Sequence, residues 1–254
     1  NMKSKNTSLN SEKNTNNMNQ RIRINKYLSN AGLCSRREAD QHIKMGLVEV
    51  NGKIITELGF KVKASDEVKY DGTRIKTKPF LYILINKPKG FIATFQGDKI
   101  DKPVQDLIST KTNPGLIPVD DMGRSMTGLL IMTNDGELRK RLNKSKSTKM
   151  VYKVVLNENV TRQTINKLKT GQMVYNKLLK IKDISHIKGK PKNEVGLEVN
   201  SIGTSELVKL FSICGLRVVL IDRVIYGSLT KKDLPRGKWR NLSSKEVGFL
   251  KMMS

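Results

Sequence analysis

The chain has few of the residues that carry redox, metal or membrane chemistry. Of its 254 residues, two are cysteine and two are histidine. Cys34 and Cys214 lie far apart, and neither His42 nor His186 stands at metal-ligand spacing from them, so neither a disulfide framework nor a zinc site is indicated. Two isolated histidines also leave no Ser-His-Asp or Cys-His arrangement to propose. No apolar run reaches the roughly 18 residues of a membrane-spanning helix, and the first residues lack the apolar core of a signal peptide. These absences predict a cytoplasmic protein with no membrane partner. Gly46 and Gly52-Lys53 fail as a phosphate-binding loop, because five residues separate the glycines and Ile54 stands where a magnesium-binding hydroxyl belongs.

Acidic residues are also scarce. Lys and Arg number 48 against 23 Asp and Glu, a net charge of +25. Solubility alone does not require so one-sided a balance. The excess suits a polyanion, whose condensed counterions are released on binding, and it points to nucleic acid.

Residues 1–20 are dominated by Asn, Ser and Lys and offer almost nothing to bury, which predicts a basic, Asn-rich disordered tail. From Arg21 the pattern changes. Ile24, Tyr27, Leu28 and Ala31 recur at helical spacing up to Gly32. Ser35 three residues before Glu38 forms a capping-box signature for a second helix that Gly46 ends. Asn51-Gly52 is a hairpin dipeptide between Val48-Val50 and Ile54-Ile55, and Val68–Tyr70 is a strand running into Asp71-Gly72. Residues 21–75 thus read as a small α+β domain with a basic helix start. After a linker at 76–79, a second domain spans 80–254. Its markers are the apolar runs Leu81–Ile85 and Leu129–Met132, a helix capped by Thr161, and the alternating Val195, Leu197 and Val199. A helix follows with Leu207, Leu210, Phe211 and Cys214 on one face, then a terminal helix behind Ser243 and Glu246.

Several segments in series suggest a family. RINKYLSNAGLCSRREADQHIKMGLVEVNGK resembles the S4-type RNA-binding domain. LYILINKPKGFIATF, GLLIMTNDGEL, VYKVVL and LPRGKWRNL resemble, in order and spacing, segments of the RsuA/RluB-type ribosomal RNA pseudouridine synthases. The resemblance implies an α+β fold: an S4-like domain, then a synthase-type domain with a mixed, mostly antiparallel sheet flanked by helices. It also implies ribosomal RNA, on the ribosome or a subunit precursor, as partner, and neither a metal nor an organic cofactor. Arg21, Arg23, Lys26, Ser35, Arg36, Arg37 and Lys44 match positions expected to face RNA, a role that guanidinium groups and helix-start amides suit. A solvated helix face is the plainer alternative.

In this family an Asp carboxylate acts on the flipped-out uridine, within a segment resembling PVGRLDxxTxGLLLLTND. Here the segment runs Pro118-Val119-Asp120-Asp121-Met122-Gly123-Arg124 and on to Gly128-Leu129 without a gap, so Gly123 takes the place of the Asp. The family's basic segment resembling GKNRQVRRMF is here Ile202 to Phe211, and only Lys209 keeps its charge. Removing one member of a buried ion pair costs about 3–5 kcal/mol, so losing acid and base together is what an abandoned site would show. Tyr152 matches the tyrosine that stacks on the target base, although a strand aromatic explains it equally. Asp120 and Asp121 are weak substitutes, since two residues of extended chain span up to about 7 Å whereas catalytic geometry tolerates about 0.5 Å.

The expectation is a catalytically silent family member that retains ribosomal RNA binding and serves ribosome assembly or stays on the ribosome. An active synthase and an RNA chaperone or translational regulator are the alternatives. An aspartate carboxyl lodged in the pocket against a cationic partner would overturn the silent reading.

Overall fold

Turn chemistry shapes the N-terminal unit. In the computed structural model, which describes residues 21–63, 65–76, 80–94, 101–108 and 115–253, the chain divides into two units between residues 79 and 80. The expected tail of residues 1–20 lies outside the described residues.

Strand β1 (Ile22–Arg23) runs straight into α1 (Ile24–Asn30), and the chain reverses at Gly32, whose φ of +76° is the left-handed conformation that suits glycine. α2 (Arg36–Lys44) begins on a complete capping box: the Ser35 hydroxyl accepts the Glu38 N–H at 3.3 Å, and the Glu38 carboxylate accepts the Ser35 N–H at 2.7 Å. β2 (Val48–Val50) and β3 (Lys53–Ile54) are joined by Asn51-Gly52 with φ of 51° and 78°, the signature of a two-residue hairpin. β4 (Lys61–Val62), β5 (Val68–Tyr70) and β6 (Thr73–Arg74) complete the unit. The sheet order is β3-β2-β5-β6, with β1 paired to β4. Ile24, Leu28, Ala39, Ile43, Val48 and Val62 form its buried centre.

The second unit contains β7 (Tyr82–Lys87), a 3₁₀ turn (Val104–Leu107), β8 (Ile117–Pro118), β9 (Met126–Thr133) and α3 (Gly136–Lys144). β10 (Lys149–Leu156), α4 (Arg162–Thr170), β11 (Gln172–Val174), β12 (Lys177–Leu179), β13 (Asp183–His186) and β14 (Glu194–Asn200) follow. α5 (Thr204–Ile213), β15 (Val218–Tyr226), β16 (Leu229–Thr230), β17 (Trp239–Asn241) and α6 (Ser244–Met253) complete it. The main sheet runs β13-β14-β10-β15-β9-β7-β17, with β8 on β9 and β16 on β15. β9 and β15 pair in parallel and the remaining pairs are antiparallel. This is the mixed, mostly antiparallel α+β sheet that the sequence predicts.

The continuous apolar runs in β7 and β9 follow from burial on both faces. Leu84, Leu129 and Ile131 pack into one cluster, and Ile83, Ile85, Leu130 and Met132 into another. β10 instead alternates, sending Met150, Tyr152, Val154 and Leu156 inward. Gly128 marks where β9 meets β15: its φ is +107°, and a Cβ there would sit 2.3 Å from the Arg223 carbonyl oxygen. Only glycine allows that approach.

Candidate active site

Two backbone anchors fix the segment in which the resemblance expects the family's acid. The Val119 N–H donates to the Ile131 carbonyl at 2.8 Å, which extends the β8–β9 register, and Met122 exchanges two 2.9 Å backbone hydrogen bonds with Ala93. The chain between them therefore cannot slide, and Gly123 follows directly on the second anchor. Its φ lies outside the left-handed region, and a Cβ there would touch only the Met126 side chain, at 3.7–3.8 Å. Neither backbone conformation nor space demands glycine at this position.

Cations crowd this loop. The buried Lys87 ammonium donates to the carbonyls of Gly123 at 2.9 Å, Met126 at 2.6 Å and Pro88 at 3.2 Å. Its burial, followed by the charges of Arg124 and Arg236, brings its pKa down to about 8. Arg124 donates to the Gly90 and Asp101 carbonyls at 3.2 and 2.7 Å. Arg236 donates to the Asn86 side-chain oxygen at 2.6 Å and to the Asp222 carboxylate at 2.9 Å. Asp222 also accepts from Thr127 at 2.8 Å and from Lys231. Burial alone would raise the Asp222 carboxyl, but hydrogen bonds from Arg236, Lys231 and Thr127 outweigh it and hold the group below its ordinary value.

Behind the loop lies an acid–base pair absent from the sequence expectation. Arg223 on β15 is wholly buried and grips Asp120 with both terminal nitrogens, at 2.6 and 2.9 Å, while its Nε donates to the Leu129 carbonyl at 2.8 Å. Burial disfavours the guanidinium charge, but Asp120 outweighs it and raises the Arg223 pKa. The guanidinium carbon lies 5.1 Å from the Tyr226 ring centroid and 6.0 Å from that of Tyr152. The Tyr152 hydroxyl donates to the Ile202 carbonyl at 2.8 Å, and burial pushes its pKa up to about 12.

Three expectations are corrected here. Acid and base have not vanished together: a carboxylate still meets a buried cation, supplied by β15 instead of the helix α5 segment, where Lys209 is exposed. Tyr152 has no exposed surface, so neither ring face is open to an incoming base, and it packs beside the Arg223 guanidinium. The two substitute acids part company, Asp120 reaching inward while Asp121 is exposed and lends its carbonyl to the Thr204 hydroxyl at 3.3 Å. Within this anchored segment, the aspartate that meets a cation is thus three positions before Gly123. Arg223 and Lys87 escaped the sequence reading, although a lone Arg inside the strand-like LIDRVIY and a Lys closing the apolar LYILINK are legible signals.

In the first unit Arg21, Arg23, Ser35, Arg37 and Lys44 are exposed, and Lys26 and Arg36 are half-buried. The pattern follows helix spacing, since Arg36 shares the face of the buried Ala39 and Ile43 whereas Arg37, Gln41 and Lys44 lie on the outer one. Among the described residues no group of three or more His, Cys, Asp or Glu side chains could hold a metal ion, and no helix is long and apolar enough to cross a membrane.

Comparison with known proteins gives the same two parts. Residues 22–68 match the S4 domain model and residues 81–204 the RNA pseudouridylate synthase model. The ribosomal large subunit pseudouridine synthase B of Bacillus subtilis is 32% identical over 237 residues, covering 91% of this chain and 96% of that protein. An uncharacterized RNA pseudouridine synthase of Aquifex aeolicus is 35% identical over 236 residues, covering 90% and 93%. A crystal structure of a pseudouridylate synthase shares the fold with a TM-score of 0.59 at 22% identity, covering 90% of this chain and 99% of that one. With its S4 domain, its mixed sheet and relatives matched along nearly their whole length, the chain belongs to the RNA pseudouridine synthase family.

Proposed function

We propose that this chain binds ribosomal RNA through both units and performs no uridine isomerisation, acting in ribosome assembly or as a ribosome-associated protein. The observation that carries this reading is Gly123, held by anchored neighbours at the position of the family's acid and offering no side chain. Asp120 does lodge against a cation, but three residues before Gly123 and on a guanidinium with no exposed surface, so at the position of the family's acid itself no carboxyl is offered. The charge of +25 and the basic S4-like helix start support RNA as the retained partner. The name of the Bacillus subtilis relative, a large-subunit synthase, supports ribosomal RNA in particular.

The Asp120–Arg223 pair favours a second reading, an active synthase that uses Asp120, since carboxylate, guanidinium and tyrosine do stand together. Release of the C5 hydrogen from tritiated ribosomal RNA separates the two. The silent reading expects no release by purified protein at stoichiometric amounts, together with co-sedimentation on ribosomal particles at moderate salt. Release that disappears in Asp120→Asn under conditions where circular dichroism shows the variant still folded would establish the second reading. Failure to sediment with the particles would favour an RNA chaperone or regulator.

A further inference from the structure

Away from the Gly123 loop, the second unit has a cleft of about 610 Å³ beside α4, lined by Asn159, Val160, Arg162, Ile165, Asn166, Lys169, His186 and Lys192 among others. That volume lies within the roughly 300–1,000 Å³ of small-ligand clefts. It opens past the end of β10, beyond Leu156, which is about 13 Å along the strand from Tyr152. The wall is braced: Val160 N–H donates to the Lys192 carbonyl at 3.0 Å, Leu156 N–H to the Asn193 carbonyl at 2.9 Å, and the Asn193 side chain returns a 2.8 Å bond to the Leu156 carbonyl. The His186 Nε2 donates to the Val160 carbonyl at 2.8 Å.

The lining combines three kinds of chemistry. Arg162, Lys169 and Lys192 supply positive charge, and among the described residues no Asp or Glu lines the cleft. Asp183, outside it, reaches Lys169 only as an exposed pair at 3.7 Å, which leaves most of that charge available. Lys188 and Lys190 are exposed on the adjoining β13–β14 connection. Ile165 and Val160 form an apolar floor, and the carboxamides of Asn159 and Asn166 carry both donors and acceptors. Cations for a phosphate, an apolar surface for a base plane and amides for a base edge are the requirements of an unpaired nucleotide.

We infer that this cleft holds one unpaired nucleotide of the bound RNA, with Arg162, Lys169 and Lys192 on its phosphates, Ile165 beneath the base and Asn159 or Asn166 at the base edge. This rests on the RNA-binding reading above and adds a second contact surface to it. It requires no turnover.

The test uses the full chain and two fluorescent probes, a seven-nucleotide single-stranded RNA and a blunt RNA duplex, titrated at several salt concentrations. Arg162→Ala/Lys192→Ala is compared with Arg37→Ala/Lys44→Ala in the S4-like unit. The expected result is about tenfold weaker single-strand binding by the cleft variant, a salt slope reduced by about 1.4 for two lost phosphate contacts, and little change with the duplex. Unchanged single-strand binding by the cleft variant, with loss only in the S4-like variant, overturns the cleft and leaves RNA binding intact. Equal loss on both probes also overturns it, because it shows a diffuse charge effect. Failure of the unaltered chain to bind either probe overturns both readings. Photo-crosslinking of a 4-thiouridine version of the single strand to the unaltered chain provides a readout independent of variant folding: a crosslink on the 159–169 or 186–192 segments supports the cleft, and crosslinks confined to other segments overturn it.

Discussion

The two units manage charge in opposite ways. Among the described residues the buried centre of the S4-like unit is apolar, and the ion pairs of Lys69 and Arg74 with Glu67 are exposed. In the second unit Lys87, Asp222 and Arg223 are buried along with Asn86, Asp135 and several threonines. A surface pair contributes about 0–1 kcal/mol, whereas a buried charge that loses its partner costs several. Charge in the first unit therefore adds little to its stability, whereas charge in the second holds the fold around the Gly123 loop.

The sharpest break of this contrast is at Asp120. Asp120→Asn leaves the buried Arg223 guanidinium uncompensated and is expected to destabilise the second unit by about 3–5 kcal/mol, lowering its unfolding midpoint by roughly 10 °C in calorimetry. Adding Arg223→Met should recover part of that loss, because both charges are then absent. An unaltered midpoint in Asp120→Asn would place that pair with the surface ones.

Next comes Lys87. Its folded pKa of about 8 lies below the ordinary lysine value near 10.5. Between those values the unfolded chain binds more protons, so stability rises as pH increases from 8 to 10.5, by on the order of 3 kcal/mol. Denaturant titrations across that window should show the rise, and Lys87→Met should flatten it.

A smaller effect is expected in the S4-like unit. Ser35→Ala removes the hydroxyl that caps α2 and should cost about 1 kcal/mol, seen as faster amide exchange in Arg36–Lys44 with the second unit unchanged. Gly123→Asp should be smallest, within about 0.5 kcal/mol by chemical denaturation, because its Cβ meets only the Met126 side chain. A large loss there would mean that the loop demands glycine after all.

Local signals in the sequence were reliable where short-range chemistry decides structure. The Ser35–Glu38 and Ser243–Glu246 boxes and the Asn51-Gly52 turn lie where their residue types predict. The family segments also carried the fold class, mixed sheet included. The β1–β4 pairing was not legible, because two-residue strands carry no periodicity. The site was half legible. Gly123 could be read from spacing, but the partner of Asp120 lies 103 residues away, on a strand whose parallel pairing with β9 no local pattern announces. Tyr152 was legible as a residue, but whether its ring faced a ligand or the interior depended on that same distant Arg223.

Val119 tied to Ile131 and Met122 tied to Ala93 act like two pins through a ribbon. What is written just beyond them, at Gly123, can change without the sheet noticing, whereas Asp120 between them cannot. On the silent reading, chemistry and architecture are separable at this one position: an ancestor could surrender an acid at residue 123 in a single codon and keep its sheet, and a designer could return that group by the same small step.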